Sequence, residues 1–328
     1  YLGNIITQNP TAPAGPYEDS AASGVWSLAE AFAYSKAGLW PTAGNLPDVS
    51  NRGIYAGGLS SYSADIQFIH IPTLGNSSDF GDLFLGVSNQ PSAASSSTRY
   101  LYAGGFDGDS HTNTVQFGNY NGGTGSDFGD LTAGRSEGGG LSNETRAVFV
   151  GSGTTMDYVT IASAGNATTF GSLGTSQESL RSVASATRGV TMGGNTNQNM
   201  YITIASTGSS SNFGEMLSAA TIQGGACSNS TRGIYAGGRS SSAQIDVVQY
   251  LTIASAGDCV DFGNLAGSGD RYNDNVCTST RAVFLGFSGT DQSEYVTIAT
   301  TGNAVEFGDL AGNRVQVGAG TSNAHGGL

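Results

Sequence analysis

The sequence predicts an all-β fold, a six-bladed β-propeller, and three observations carry that prediction. The composition, with 51 glycines among 328 residues, favours short strands and tight turns. A segment of one recognisable pattern starts six times along the chain. After the last unit comes a further inner-strand sequence with no unit of its own, which is what closure of a ring requires.

The composition argues against a helical fold. Charged residues make up 11% of the chain, against roughly 25% in an average protein, and glycine is at more than double its usual share of roughly 7%. Long helices would lack both their strong formers and their salt-bridge pairs. Apolar residues, at 38%, suffice for a core.

Each unit opens with a basic residue that leads into a short apolar strand. The arginines of successive units are 42 to 49 residues apart, and the segments read NRGIYAGG, TRYLYAGG, TRAVFVGS, TRGVTMGG, TRGIYAGG and TRAVFLGF, starting at Asn51, Thr98, Thr145, Thr187, Thr231 and Thr280. A phosphate-binding glycine loop does not recur six times. The pattern therefore predicts a strand that ends in a glycine turn.

A second signal in each unit predicts a hairpin. It ends in a Phe-Gly pair, and the fifth residue before the phenylalanine is glycine in all six units, which suits the positive φ of a tight turn. The twelfth residue before it is aromatic in five units, whereas the second unit has Gln116 there.

Small residues precede the Thr-Arg pairs, as in GGGLSN (138–143) and QGGACSN (223–229). Such residues fit the innermost strands of a propeller, where backbones crowd around the axis. Each unit then supplies four short strands, which make one blade. A solenoid is the alternative, but leucine-rich units are much shorter. The three cysteines, Cys227, Cys259 and Cys277, have no metal-site spacing and are predicted to be small buried residues.

The first unit has no small-residue strand ahead of it, whereas the chain ends with one, VQVGAGTSNA (315–324). We predict that this C-terminal segment completes the first blade and leaves no open sheet edge. The propeller is expected to span residues 51–328.

Residues 1–50 are predicted to be a separate arm that contains both tryptophans and the only lysine, Lys36. Ser27 and Glu30 form a capping box and Gly38 is a stop signal, so one helix is expected over residues 28–37. The candidate docking residues are Trp26, Phe32 and Trp40. They contact either another protein or the propeller flank.

The repeat resembles kelch repeats. A strand ending in Gly-Gly, a later tyrosine and an outer-strand aromatic match that family, as does an arginine before the small-residue strand in four units, at Arg135, Arg181, Arg271 and Arg314. Phenylalanine replaces the kelch tryptophan, the tyrosine-to-aromatic spacing is longer, and Gly151-Ser152 and Gly286-Phe287 break the glycine pair. The resemblance covers residues 51–324 and implies a kelch-like propeller.

A second resemblance concerns tailed phages. The segment SGVWSLAEAFAYSKAGLWP (23–41) and the Thr-Ile-Ala to Phe-Gly-Asp-Leu repeat resemble segments of phage tail-fibre-like and virion proteins, especially from marine phages. The resemblance implies a virion location, an oligomeric assembly in which other virion subunits bind the arm, and attachment to a host-surface glycan or protein. The alternatives are a secreted bacterial surface adhesin and a sialidase-like or lyase-like enzyme, which would need carboxylates and basic residues at the axis.

Charge and motifs exclude other classes. A net charge of −13 argues against nucleic acid, and the lack of 18 consecutive apolar residues argues against membrane insertion. The Asp-Phe-Gly strings at Asp79 and Asp127 belong to the repeat, and SSDFGDLF (77–84) fits the sialidase Asp-box only once. DGDSH (107–111) lacks the glutamate of a calcium loop. We expect no catalytic residue, no metal and no cofactor.

The variable loops after the Gly-Gly strands are the candidate binding face. They are rich in Ser, Thr, Asn and Gln, which suits sugars or shallow protein contacts, although their variation also fits simple tolerance. The candidate binding residues are Tyr62, Asp107, Asp109, His111, Asn197, Gln198, Arg239, Asp291 and Gln292. The Thr-Arg arginines either form a cationic ring for anionic sugars or bind carbonyls or carboxylates of a neighbouring blade.

Overall fold

The structure is a computed structural model that describes residues 27–36, 51–58, 62–151, 153–217, 221–240, 243–266, 274–287, 290–311 and 318–328. The chain divides into two units, Tyr1–Ser50 and Asn51–Leu328. Among the described residues, no helix is long and apolar enough to cross a membrane.

The described part of the first unit is helix α1, Leu28–Lys36. Its capping box forms, because the Ser27 amide and hydroxyl donate to the Glu30 carboxylate at 3.0 and 2.7 Å, and the Glu30 amide donates to Ser27 Oγ at 3.2 Å. The predicted last helical residue, Ala37, lies outside the described residues.

The second unit is a propeller of six four-stranded antiparallel sheets, which confirms the predicted fold. Blade 1 contains β1 Arg52–Ala56, β2 Asp65–His70 and β3 Ser78–Asp82. Blade 2 contains β4 Ser92–Ser95, β5 Arg99–Ala103, β6 Thr114–Asn119 and β7 Ser126–Asp130. Blade 3 contains β8 Gly138–Ser142, β9 Arg146–Gly151, β10 Gly153–Thr160 and β11 Thr168–Gln177. Blade 4 contains β12 Leu180–Ala184, β13 Arg188–Gly193, β14 Gln198–Thr203 and β15 Ser211–Glu215.

A small additional sheet of β16, β19 and β20 accompanies the fifth blade. In chain order, the strands of this region are β16 Thr221–Ile222, β17 Gly225–Ser228, β18 Arg232–Ala236, β19 Arg239–Ser240, β20 Ala243–Gln244, β21 Val247–Thr252 and β22 Val260–Asn264. Blade 6 contains β23 Asp274–Cys277, β24 Arg281–Phe287, β25 Thr290–Thr297 and β26 Val305–Asp309, and the final strand is β27 Ala319–Ser322.

The final strand closes the ring as predicted. β27 is the innermost strand of blade 1 and pairs with β1, with Gly53 opposite Ser322 and Ala56 opposite Ala319. It is shorter than the predicted segment 315–324, of which residues 315–317 lie outside the described part of the chain.

The hydrophobic core lies between neighbouring blades. One cluster joins Tyr55 and Ile69 of blade 1 to Val283, Leu285 and Phe307 of blade 6, so the closing junction is packed with apolar side chains like the others. Because each sheet is covered on both faces by its neighbours, the apolar residues of the Thr-Arg strands are fully buried.

The invariant glycines hold neighbouring blades together at the rim. In each blade the phenylalanine carbonyl of the outer strand accepts a hydrogen bond from the hairpin glycine of the next blade, as in Gly208 N–H to Phe170 O at 2.9 Å. The contact from blade 6 to blade 1, Gly75 N–H to Phe307 O at 3.1 Å, completes the ring. A Cβ on the outer-strand Gly171 would lie 2.1 Å from Gly208 O, so no side chain fits there. Each outer edge is thereby covered.

The second blade requires one correction. The sequence pattern placed Gln116 at the aromatic position of the third strand, but the aromatic residue of this strand is Phe117. Its ring lies 5.5 Å from that of Phe128. Its hairpin is one residue shorter than in the other blades, so the aromatic lies eleven positions before Phe128 instead of twelve.

Candidate functional site

The antiparallel blades sort all connections onto two faces. The connections from second to third strand, and from the outer strand to the next inner strand, open on one face, which we name the loop face. The Thr-Arg turns and the glycine hairpins open on the opposite face, which we name the turn face.

The turn-face arginines are used inside the propeller. Each donates through Nη1 to a backbone carbonyl of the next blade, at 2.7 to 3.0 Å: Arg52 to Tyr120, Arg99 to Ile161, Arg146 to Ile204, Arg188 to Ile253, Arg232 to Ile298 and Arg281 to Ile71. Each also lies over an aromatic ring of its own blade, as Arg232 does over Tyr250 at 4.3 Å. Of the two interpretations of these arginines, the structure therefore supports hydrogen bonds to carbonyls of a neighbouring blade.

The propeller axis is lined by small residues of the inner strands, and hydrogen bonds join neighbouring inner strands. Ser142 Oγ donates to Ser95 O at 2.7 Å and accepts from Ser95 N at 3.0 Å. Ser228 does the same with the backbone of Ala184, at 2.9 and 3.1 Å. The described residues that line the axial cavities include no Asp or Glu; their ionisable side chains are Arg181, Cys227, Cys277 and His325.

The C-terminal tail crosses the turn-face end of the axis. Gly326 N–H donates to Ser228 O at 2.9 Å, and a Cβ on Gly327 would lie 1.9 Å from Ser142 O. His325 Nδ1 accepts from Gly327 N–H at 3.1 Å, so the neutral ring carries its proton on Nε2, 3.2 Å from Ser95 O. Burial lowers the pKa of His325 to about 4, which keeps the ring neutral at pH 7.

The cysteines are free and buried, as predicted. Cys277 Sγ donates to Ser228 O at 3.2 Å and Cys227 Sγ donates to Val276 O at 3.4 Å, so the thiols take part in the contacts between inner strands. Burial raises the pKa of the Cys227 thiol well above its usual value. Burial likewise raises the pKa of Cys259 to about 12. The pKa of the Cys277 thiol is instead lowered, chiefly by its hydrogen bond with Cys227.

Four of the candidate binding residues come together at the junction of blades 1 and 2. Tyr62 is 50% exposed, and its ring centroid lies 5.9 Å from that of Phe106. His111, on the far side of the same loop, lies 5.5 Å from Phe106. Asp107 accepts hydrogen bonds from the amides of Asp109 and Ser110, both at 3.0 Å, which lower the pKa of its carboxyl. Sequence inspection did not single out Phe106.

The other candidates lie apart from this cluster and partly in strands. Asn197 donates to Glu215 Oε2 at 3.1 Å. Gln198 begins β14 and accepts from Thr175 Oγ1 at 3.0 Å. Arg239 is half-buried in β19, opposite Ile222. Asp291 and Gln292 are exposed, but they belong to strand β25, which starts at Thr290, and not to a loop as predicted.

Sequence inspection also missed a set of buried polar side chains on the third strands. In five blades the residue before the aromatic is polar and binds the backbone that follows the outer strand of the preceding blade, as Gln116 does with Leu85 at 2.9 and 3.0 Å. In blade 4 this residue is Met200. In blade 3 this residue is Asp157, which forms a buried ion pair with Arg135 and accepts from Thr132. Gln67, Gln249 and Glu294 have equivalent roles. The sequence signal that could have revealed this set is the polar residue that directly precedes the third-strand aromatic in five of the six units.

The repeat carboxylates have structural partners too. Asp79 accepts from Gly81 N–H at 3.2 Å and Asp127 from Gly129 N–H at 3.1 Å, which fixes the bend of the outer strand. No group of three or more His, Cys, Asp or Glu side chains within the described ranges is placed to hold a metal ion.

Of the docking residues, Phe32 is 68% exposed on α1, and Trp26 and Trp40 lie outside the described residues. No protein-family model matches the sequence. No curated protein matches it either.

Proposed function

We propose that the chain is a virion appendage subunit, similar to a tail fibre, that presents its propeller for attachment to a host surface. One observation carries the proposal: the arginines of the turn face and the small residues at the axis make internal contacts, and the turn-face hairpins repeat one pattern, whereas the loop face carries exposed side chains that differ from blade to blade. A rigid scaffold with variable loops on one face is suited to recognition.

The lining of the axis favours the attachment role over a glycan-cleaving enzyme. Propeller enzymes that cleave glycans need carboxylates and basic groups converging on a substrate, but the described axial lining is mostly Gly, Ala and Ser. The C-terminal tail also occupies one end of the axis.

The arm is proposed to bind another virion subunit. α1 has a completed capping box and exposes Phe32, which gives a pre-formed helix with an apolar side chain available to a partner. The resemblance of residues 23–41 to phage structural proteins supports the same assignment, and the kelch-like pattern supports an interaction role for the propeller.

The proposal is tested by locating the protein. An antibody against residues 51–328 is used for immunogold electron microscopy of particles and cells from the source culture. Labelling of a particle appendage is expected. Labelling confined to a bacterial cell envelope would overturn the virion assignment and favour the surface adhesin.

The role of the arm is tested separately. Removal of residues 1–50 is expected to release the propeller from the particle while leaving it folded by circular dichroism. Unchanged incorporation of the truncated chain would contradict the assembly role.

A further inference from the structure

We infer that the junction of blades 1 and 2 on the loop face carries a saccharide-binding platform, formed by Tyr62, Phe106, Asp109 and His111, that takes an uncharged sugar. The inference rests on the proposed attachment function, because it names the ligand class that the loop face would recognise. It stands on the rigidity of the loop, the arrangement of its aromatic rings, and the charge around them.

The loop is held rigidly. Phe106 exchanges two backbone hydrogen bonds with Ser88 of the preceding connection, both at 2.9 Å, and Thr112 N–H donates to Gly105 O at 2.9 Å. The Asp107 carboxylate fixes the tip by accepting from two amides. A ligand that binds here does not have to order the loop first, which matters for weak ligands such as sugars.

The aromatic rings form an open surface. A Cβ on Gly108 would lie 3.1 Å from Tyr62 Cε2, so this glycine backbone lies directly against one side of the Tyr62 ring and supports it. Tyr62 remains 50% exposed, and Phe106 and His111 continue the surface from it. Rigid aromatic rings give contact area at a low cost in conformational entropy.

Polar groups for hydroxyls surround these rings. The exposed residues of the loop are Asp109, Ser110, His111 and Asn113. Asp107 is occupied by its own loop, so Asp109 is the carboxylate that can accept hydrogen bonds from a ligand. Aspartate and serine are depleted at protein interfaces, whereas a few polar groups around aromatic rings are typical of small-molecule sites. The composition therefore favours a sugar over a protein surface.

The charge selects against acidic sugars. All described arginines are buried or half-buried, and six of them bind carbonyls on the opposite face. The platform itself contributes two carboxylates, Asp107 and Asp109, and no lysine or arginine. A sialylated or uronic-acid ligand would be repelled, and a neutral one would not.

The test uses saturation-transfer NMR on the full chain with lactose, maltotriose, chitotriose and 3′-sialyllactose as probes. We expect transfer to at least one neutral saccharide, at least tenfold weaker transfer to 3′-sialyllactose than to lactose, and at least tenfold weaker binding of the neutral probe by Tyr62→Ala. Tyr62→Phe keeps the ring and is expected to retain most of the binding. Leu217→Ala is the matched control, because Leu217 is 52% exposed on the same face in blade 4. It is expected to bind as the unmodified chain does.

Three outcomes would overturn the inference: no transfer to any neutral probe, equal binding by Tyr62→Ala, or equal loss in Leu217→Ala. Labelling of host cells by fluorescent protein distinguishes this failure from failure of the attachment function. If the cells are labelled, no probe shows transfer, and protease treatment of the cells abolishes the labelling, then the chain attaches to a host protein instead. Absence of both labelling and transfer would contradict both proposals.

Discussion

Single residues in this propeller have one repeated task, which is to connect one blade to the next. The six arginines at the start of the second strands show it best, because each joins an aromatic ring of its own blade to a carbonyl of the following one. A guanidinium suits this position since it is planar, stacks on rings and still donates hydrogen bonds from its edge. Lysine could do only part of this, which fits a propeller unit without a single lysine.

The arginine contact gives the first prediction. Arg232→Gln removes the hydrogen bond to Ile298 O and the contact with the Tyr250 ring, so the free energy of unfolding is expected to fall by about 2 kcal/mol. Urea denaturation, followed by far-UV circular dichroism, measures the change in the free energy of unfolding. Arg239→Gln is the control, because Arg239 lies outside the set of six. Equal stability of the two variants would show that the carbonyl contacts contribute nothing.

At the scale of the element, the outer strand and the hairpin act as a pair across blade boundaries. The glycine of each Phe-Gly pair lies against the hairpin glycine of the next blade. The N–H of that hairpin glycine donates to the carbonyl of the phenylalanine, and this main-chain hydrogen bond covers the outer edge. The two glycines are required for different reasons. Both have a positive φ, but a Cβ on Gly171 would clash with the next blade, whereas a Cβ on Gly165 would point into open space.

This difference can be measured. Gly165→Ala, at φ 156°, is expected to cost about 1 kcal/mol from backbone strain alone. Gly171→Ala, at φ 159°, adds a clash with Gly208 O and is expected to cost at least about 3 kcal/mol. Thermal and urea denaturation of both variants provide the comparison. If Gly165→Ala were the more damaging change, the close approach between blades would not be what fixes the outer-strand glycine.

The sequence was sufficient for the elements that repeat. The arginine strand, the glycine hairpin and the small-residue strand each occur six times, so a local signal too weak to interpret once becomes clear by register. Features that occur once were not predictable in this way. The platform depends on Phe106 of blade 2 meeting Tyr62 of blade 1. The ion pair of Arg135 with Asp157 also occurs once, because only blade 3 has an aspartate at the position before the third-strand aromatic. The shorter hairpin of blade 2 displaced Phe117 from the register and hid it.

At the scale of the whole molecule, the C-terminus both closes the ring and covers one end of its axis. β27 supplies the strand that blade 1 lacks, and the following residues bring His325 against Ser95 and Gly326 against Ser228. The prediction of closure was correct, but the covering of the axis was not foreseen. The residues that do it, AHGGL, carry no repeat pattern, and their small size becomes meaningful only beside the carbonyls they approach.

The buried histidine predicts a pH dependence. Its pKa falls from 6.5 to about 4 on folding, so the unfolded chain binds more protons between these values and stability decreases as the pH drops through that window. Because part of the side chain still reaches solvent, we expect a loss of at most about 3 kcal/mol. Urea denaturation from pH 7 to pH 4 tests this. The variant His325→Asn has no titrating group at this position and should lack this part of the pH dependence. Identical stability profiles for the variant and the unmodified chain would contradict the role of His325.

The central claim is that the end of the chain pairs with its first blade, and disulfide trapping tests it most directly. The register places Ala56 of β1 directly opposite Ala319 of β27, and both side chains are small and buried. Ala56→Cys combined with Ala319→Cys should form a disulfide in the folded protein under oxidised glutathione, seen by mass spectrometry as one pair of peptides linked through both sites. Ala56→Cys combined with Ala184→Cys, on the inner strand of blade 4, should not. Equal cross-linking of the two pairs, or none for the first, would contradict the closed ring.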